Sequence, residues 1–177
     1  AGVITASDKP TGRGKKITPP PVKKFAISEG LNVLQPANLK SPEFITQLKA
    51  LKPDLQIVVA FRMLPRQVWE MPEHGTFNLH ASLLPKYRGA APINHAIMNG
   101  EKETGLTTFM IDENIDTGNI LMMKKMEIKE TDTAGSLHDK LMYAGADLVV
   151  ETVKGLEEKK LVPVKQQDFA ADISSLP

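Results

Sequence analysis

GTFNLHASLLPKYRGAAPINHAIMNG, residues 75–100, holds a complete strand–turn–helix unit. GTFNLHAS reads as a strand. The segment after it is stiffened by Pro85 and bent at Gly89. PINHAIMNG reads as a helix, with Gly100 just past its end. Asn78 and His80 are two residues apart, so on a strand they face the same way. A buried strand has little use for two polar groups on one face unless they are satisfied there or point at a ligand.

The same alternation continues on both sides. Upstream, LQIVVAF (55–61) is a continuous apolar, β-branched run, which predicts a strand covered on both faces. SPEFITQLKAL predicts a helix with Ser41 as N-cap, Pro42 in its first position, and Phe44, Ile45, Leu48 and Leu51 on one face. GVIT and NVLQP are short strands, VKKFAISEG is a helix closed by Gly30, and residues 7–22, with four prolines and two glycines, read as a long loop. Downstream, TTFMI (107–111) and ILMMKKMEI (120–128) are closely spaced strands. Leu137, Leu141, Ala144, Leu148 and Leu156 then recur on one face of the longest helix. Alternating strands and helices predict an α/β fold, with a mostly parallel central sheet and helices on both faces. Residues 1–165 form one domain. The polar tail 166–177 reads as a linker. The opening AGVIT, already strand-like and without Met, reads as though a first strand is missing.

The chain has 177 residues, with 41% apolar and 24% charged, a globular composition with room for a sizeable core. It has no cysteine, which excludes disulfides and thiolate metal sites. Residues 9–24, KPTGRGKKITPPPVKK, carry six basic side chains and no acidic one, so the rest of a chain of net charge +1 carries a net −5. A basic segment on a slightly acidic body points to a polyanionic partner for that segment. No apolar run is long enough to span a membrane, and no signal peptide is visible.

Asn78 and His80 sit where a strand runs out into a turn. In open α/β sheets, ligands bind outside the carboxyl ends of strands. An amide and an imidazole can both donate to one oxygen, and histidine moves protons near neutral pH. The competing reading is a strand end whose polar groups bond neighbouring loops. DENIDTGNI (112–120) places Asp112, Glu113 and Asp116 within five residues. Such a run is ordinarily a solvated turn, but Asp116, just ahead of Thr117–Gly118, could orient an imidazole or relay a proton. SLLPKYRGAAPI and FRMLP leave two strand ends with apolar residues that either line a pocket for a flat ligand or pack inward. His74, His95 and His138 lack ligand spacing, so no metal is expected. No dinucleotide or Walker fingerprint is present. The eight methionines are scattered, as core filling is.

Taken together, NLHASLLPKYRGAAPI and GLTTFMIDENIDTGNIL resemble the methionyl-tRNA formyltransferase family, and the basic SDKPTGRGKKITPPPVK resembles its inserted loop. The resemblance runs from GVIT to about residue 165. It implies a Rossmann-like fold and formyl transfer from 10-formyltetrahydrofolate to the methionyl amine of initiator tRNA. It implies Asn78, His80 and Asp116 as the catalytic trio, and Ser82, Leu83, Leu84 and Pro85 as folate-binding, with Arg62, Met63 and Leu64 near the pterin. Arg13, Lys15 and Lys16 would meet the tRNA. The implied protein is a cytoplasmic monomer without metal or membrane. A formyltransferase acting on a small amine (glycinamide ribonucleotide or an amino sugar), a formyltetrahydrofolate hydrolase and a non-catalytic RNA-binding module remain as alternatives.

Overall fold

The computed structural model describes residues 1–11, 16–60 and 62–170. They form two compact units, one of residues 1–55 with 64–74 and the other of residues 56–63 with those from Gly75 onward.

In the first unit, β1 (Gly2–Ile4) pairs in parallel with β4 (Asn32–Leu34). α1 (Pro21–Ser28) lies between them in sequence, and α2 (Pro42–Ala50) and α3 (Arg66–Trp69) follow. The Ser41 hydroxyl accepts from the Phe44 N–H and Pro42 opens α2, as the sequence predicts. Phe44 and Leu48 are buried on its inner face. The segment read as a long loop contains an antiparallel hairpin, β2 (Lys9–Thr11) with β3 (Lys16–Thr18). Proline suggested irregular structure there. Pro10, however, stands opposite Ile17 in a two-stranded ladder, where each strand keeps an unpaired edge for the missing N–H. Lys23 of α1 pairs with Asp8 at 2.8 Å.

The second unit is a four-stranded sheet in the order β5 (Gln56–Val59), β6 (Thr76–His80), β7 (Glu103–Met110), β8 (Ile120–Glu127). β5 and β6 are parallel, whereas β6–β7 and β7–β8 are antiparallel. The sheet is therefore mixed rather than mostly parallel. The short loop between β7 and β8 has no room for the crossover that a parallel pair needs. β5 departs from its prediction as well. It is the edge strand, and Ile57 and Val59 are 45% and 55% exposed. A hydrophobic run shows that a strand can be covered, not that a neighbour covers it.

α4 (Pro92–Met98) and α5 (Ala134–Glu157) complete this unit. α5 starts at a capping box in which Thr133 and Ser136 exchange side-chain-to-backbone bonds. It buries Leu137, Leu141 and Leu148 with Leu106, Ala96 and Ile128. Gly145 lets α5 lie close on the sheet, because a Cβ there would stand 2.9 Å from Leu79. Thr152 bonds Thr108 of β7 at 3.0 Å. Met122, Met123 and Met126 fill the core edge, but Met63, Met98 and Met142 are exposed, so the methionines are core filling only in part. Residues 166–170, read as the start of a linker, form α6 (Gln166–Ala170), and Gln166 is buried. Its polarity disguised a residue whose amide finds partners inside the unit. Among the described residues no helix is long and apolar enough to cross a membrane.

Candidate active site

β6 ends at His80, and strand alternation puts Asn78 and His80 on one face, with Phe77 and Leu79 on the other. His80 is almost wholly buried, its ring meeting Phe109 edge-on at 6.5 Å. Its Nε2 lies 2.8 Å from the Tyr87 carbonyl oxygen. A carbonyl only accepts, so Nε2 carries a hydrogen and donates. The other ring nitrogen, Nδ1, faces Asp116 Oδ2 at 3.6 Å. That separation is longer than a hydrogen bond, and catalytic contacts of this kind commonly tighten only around the reacting groups. Asn78 Oδ1 is buried and has no hydrogen-bond partner among the described residues. Buried polar atoms are nearly always paired, so an amide oxygen left unpaired on the same strand face as a buried imidazole leaves that side chain unfastened at its oxygen end.

The bend YRGAA carries the left-handed backbone that makes this convergence possible. Tyr87, Gly89 and Ala91 have φ of 57°, 89° and 53°. Only glycine takes such values freely; for Tyr87 and Ala91 they cost about 1–2 kcal/mol each. Tyr87 is held at its far end. Its hydroxyl donates to Glu101 at 2.6 Å and accepts from Asn99, and its ring stacks on His95. The Glu101 carboxylate raises the phenol's pKa above the usual tyrosine value and keeps it a donor. Thus anchored, Tyr87 presents its carbonyl to His80, and two residues later the Gly89 N–H donates to Asp116 Oδ2 at 2.8 Å. Asp116 is itself left-handed, with φ of 53°. Backbone strain at two facing loops is typical of sites that over-determine their geometry.

The other sequence candidates fall in different settings. Ser82 and Leu84 are fully buried and Leu83 nearly so. The Ser82 hydroxyl donates to the Lys86 carbonyl, and Thr107 Oγ1 donates to the Ser82 carbonyl and accepts from the Leu84 N–H. This turn thus has its side chains packed inward and only Pro85 exposed. Arg62 and Met63 are exposed, and Leu64 belongs to the first unit. Arg13 and Lys15 lie outside the described residues, as does the side chain of Lys16, whose backbone belongs to β3. Two contributors had no signal in the sequence. Gln166 reaches the loop that carries Asp116, and Arg88 reaches Gln166. Among the described residues no cluster of three or more His, Asp or Glu side chains could hold a metal.

A family model described as formyl transferase matches residues 1–153. The chain is 56% identical over 167 residues to the methionyl-tRNA formyltransferase of Flavobacterium johnsoniae, covering 94% of this chain and 53% of that protein. It is 55% identical over 169 residues to that of Bacteroides fragilis, covering 96% and 52%. The chain therefore spans about half the length of the curated relatives it matches. Among solved structures, phosphoribosylglycinamide formyltransferase from Bacillus halodurans matches with a TM-score of 0.72 at 26% identity, over 86% of this chain and 79% of that one.

Proposed function

This chain belongs to the formyl transferase family, and on that footing we propose that it transfers the formyl group of 10-formyltetrahydrofolate to the α-amine of methionyl-initiator tRNA. The observation that carries the chemistry is the Asp116 carboxylate facing the buried His80 imidazole at 3.6 Å, on the strand end that also bears Asn78, whose Oδ1 has no partner among the described residues. Identity of 55–56% to two methionyl-tRNA formyltransferases supports the choice of acceptor.

When bound, the folate supplies a one-carbon unit at the formyl oxidation level. Each residue of the trio then has a part. The Asn78 amide turns its N–H toward the formyl oxygen, where negative charge grows as the amine adds; one such donor is worth about 2.7–4 kcal/mol of barrier. His80 keeps its orientation through the Tyr87 carbonyl and takes up a proton at Nδ1, facing a carboxylate that offsets the charge gained. Asp116 holds its place through the Gly89 N–H, and the proton held between it and His80 passes to the folate nitrogen that leaves as its bond to the formyl carbon breaks. The buried Ser82–Pro85 turn shapes the folate site through its backbone, with Arg62 and Met63 near the pterin. The basic segment 9–24, with Arg13, Lys15 and Lys16, meets the acceptor end of the tRNA. The reading carries with it a cytoplasmic location, where charged tRNA is made and used, and action as a monomer.

The test is formyl transfer by the intact protein to charged initiator tRNA, to glycinamide ribonucleotide and to an amino sugar, with formyltetrahydrofolate hydrolysis followed in parallel. Transfer to the tRNA at a kcat/KM well above the others is expected. A small amine as the better acceptor, or hydrolysis without transfer, would overturn the proposal.

A further inference from the structure

Gln166 is separated from Asp116 by fifty residues, yet it is 5% exposed and uses both ends of its side chain on the active-site loops. Its Nε2 donates to the Asp116 carbonyl at 2.9 Å and to the Gly118 carbonyl at 3.0 Å. Its Oε1 accepts from Arg88 Nε at 3.1 Å and from Arg88 Nη2. Arg88 precedes Gly89, whose N–H donates to Asp116 Oδ2. The three segments 88–89, 116–118 and 166 thus close a ring of hydrogen bonds around one left-handed aspartate. A surface glutamine that merely fastened α6 would have no need of two carbonyls on either side of Thr117.

We propose that Gln166 is a positioning residue for Asp116, its amide N–H groups fixing the Asp116–Gly118 backbone so that the carboxylate faces His80. The inference rests on the reading of Asp116 given above. Gln166 touches neither His80 nor a reacting atom. Its effect passes through the carbonyl oxygens on either side of the turn, and the Arg88 guanidinium orients the amide so that nitrogen rather than oxygen faces them.

Two substitutions separate this role from anchoring of α6. Gln166→Ala removes both sets of bonds. Gln166→Glu keeps an acceptor for Arg88 but puts a carboxylate oxygen against the two carbonyls. Both are expected to lower kcat about 10- to 100-fold, the scale for a misplacement of about 1 Å at a reacting group, with KM for tRNA and folate unchanged. In an Asp116→Asn background, adding either substitution should change kcat less than about twofold, because residues acting through one another are not additive. Thermal unfolding is read on every variant. If Gln166→Ala is unfolded at the assay temperature, the cycle is carried by Gln166→Glu, which keeps the Arg88 tie. Additive losses in the cycle, or a Gln166→Glu variant with normal kcat, would overturn the proposal. If Asp116→Asn alone leaves kcat unchanged, it is the catalytic reading of Asp116 that fails, and the two failures are told apart by that single variant.

Discussion

Replacing Gly118 by alanine should lower turnover by about 10²-fold, whereas the same change at Gly135 should leave turnover alone and raise stability. Gly118 is buried where the loop carrying Asp116 enters β8. A methyl group built there would overlap the Met110 carbonyl oxygen and lie 2.9 Å from the carbonyl carbon. Carbon atoms in ordinary contact stand about 3.5–4.0 Å apart, so the carbon alone demands about 0.6–1.1 Å of separation, and the oxygen demands more. Backbone must supply it, because the obstruction is backbone. Met110 is held in the sheet by its pairing with Phe77 of β6, so the loop rather than β7 should yield. The shift then reaches Asp116 two residues away, and about 1 Å at a reacting group is worth about 10² in rate, or about 2.7 kcal/mol. Overpacking should also lower unfolding stability by about 1–3 kcal/mol. At Gly135, in the first turn of α5, the nearest atom to the new methyl is Thr133 Oγ1 at 3.7 Å, an ordinary contact. There the loss of unfolded-state freedom should stabilise by about 0.4–1 kcal/mol. Formyl-transfer kinetics report the first effect, and urea midpoints at constant slope report the second. A Gly118→Ala variant with normal turnover and midpoint would show that the loop tolerates displacement and that the placement of Asp116 is not what catalysis depends on.

Asn78→Ala should reduce turnover by about 10²–10³ while folate affinity, measured by titration, stays nearly constant; loss of affinity with unchanged turnover would make Asn78 a binding residue instead. Acid should weaken the start of α5. Lys140, the Lys129 N–H and Ser136 all donate to Asp132 and hold its carboxyl at about 2 against an ordinary 3.8. Because the folded value is the lower one, the contribution is complete above about pH 4 and is lost as pH falls toward 2; Asp132→Asn should flatten the fall of Tm across that window, and an undiminished fall would assign it to other carboxylates. Replacing Arg13, Lys15 and Lys16 together by Ala should weaken tRNA binding and reduce the slope of log K against log salt by about 2–3, with folate binding unchanged; an identical slope would remove this segment from the tRNA surface.

The features legible in the chain before it folds were local. Period-2 spacing placed Asn78 and His80 on one face, Ser41–Pro42 started α2, and the 3.6-residue recurrence from Leu137 to Leu148 defined the buried side of α5. These follow from backbone geometry and from the bonds a residue makes within a few positions of itself, so they can be read without knowing the neighbours. The strand pattern of LQIVVAF was legible for the same reason, but its burial was not, because an apolar run does not say which strand will lie beside it. The candidate trio was legible as residue types. Only the tertiary structure brought Asp116 to His80, across thirty-six residues, through a bend held left-handed at Tyr87, Gly89 and Ala91. The polar run KQQ gave no sign that its first glutamine is buried and bonded to two loops. A glutamine costs little in water and a good deal in a core, so whether Gln166 is solvent-facing or part of the site is decided by the partners that long-range folding delivers, and those partners are encoded elsewhere in the chain.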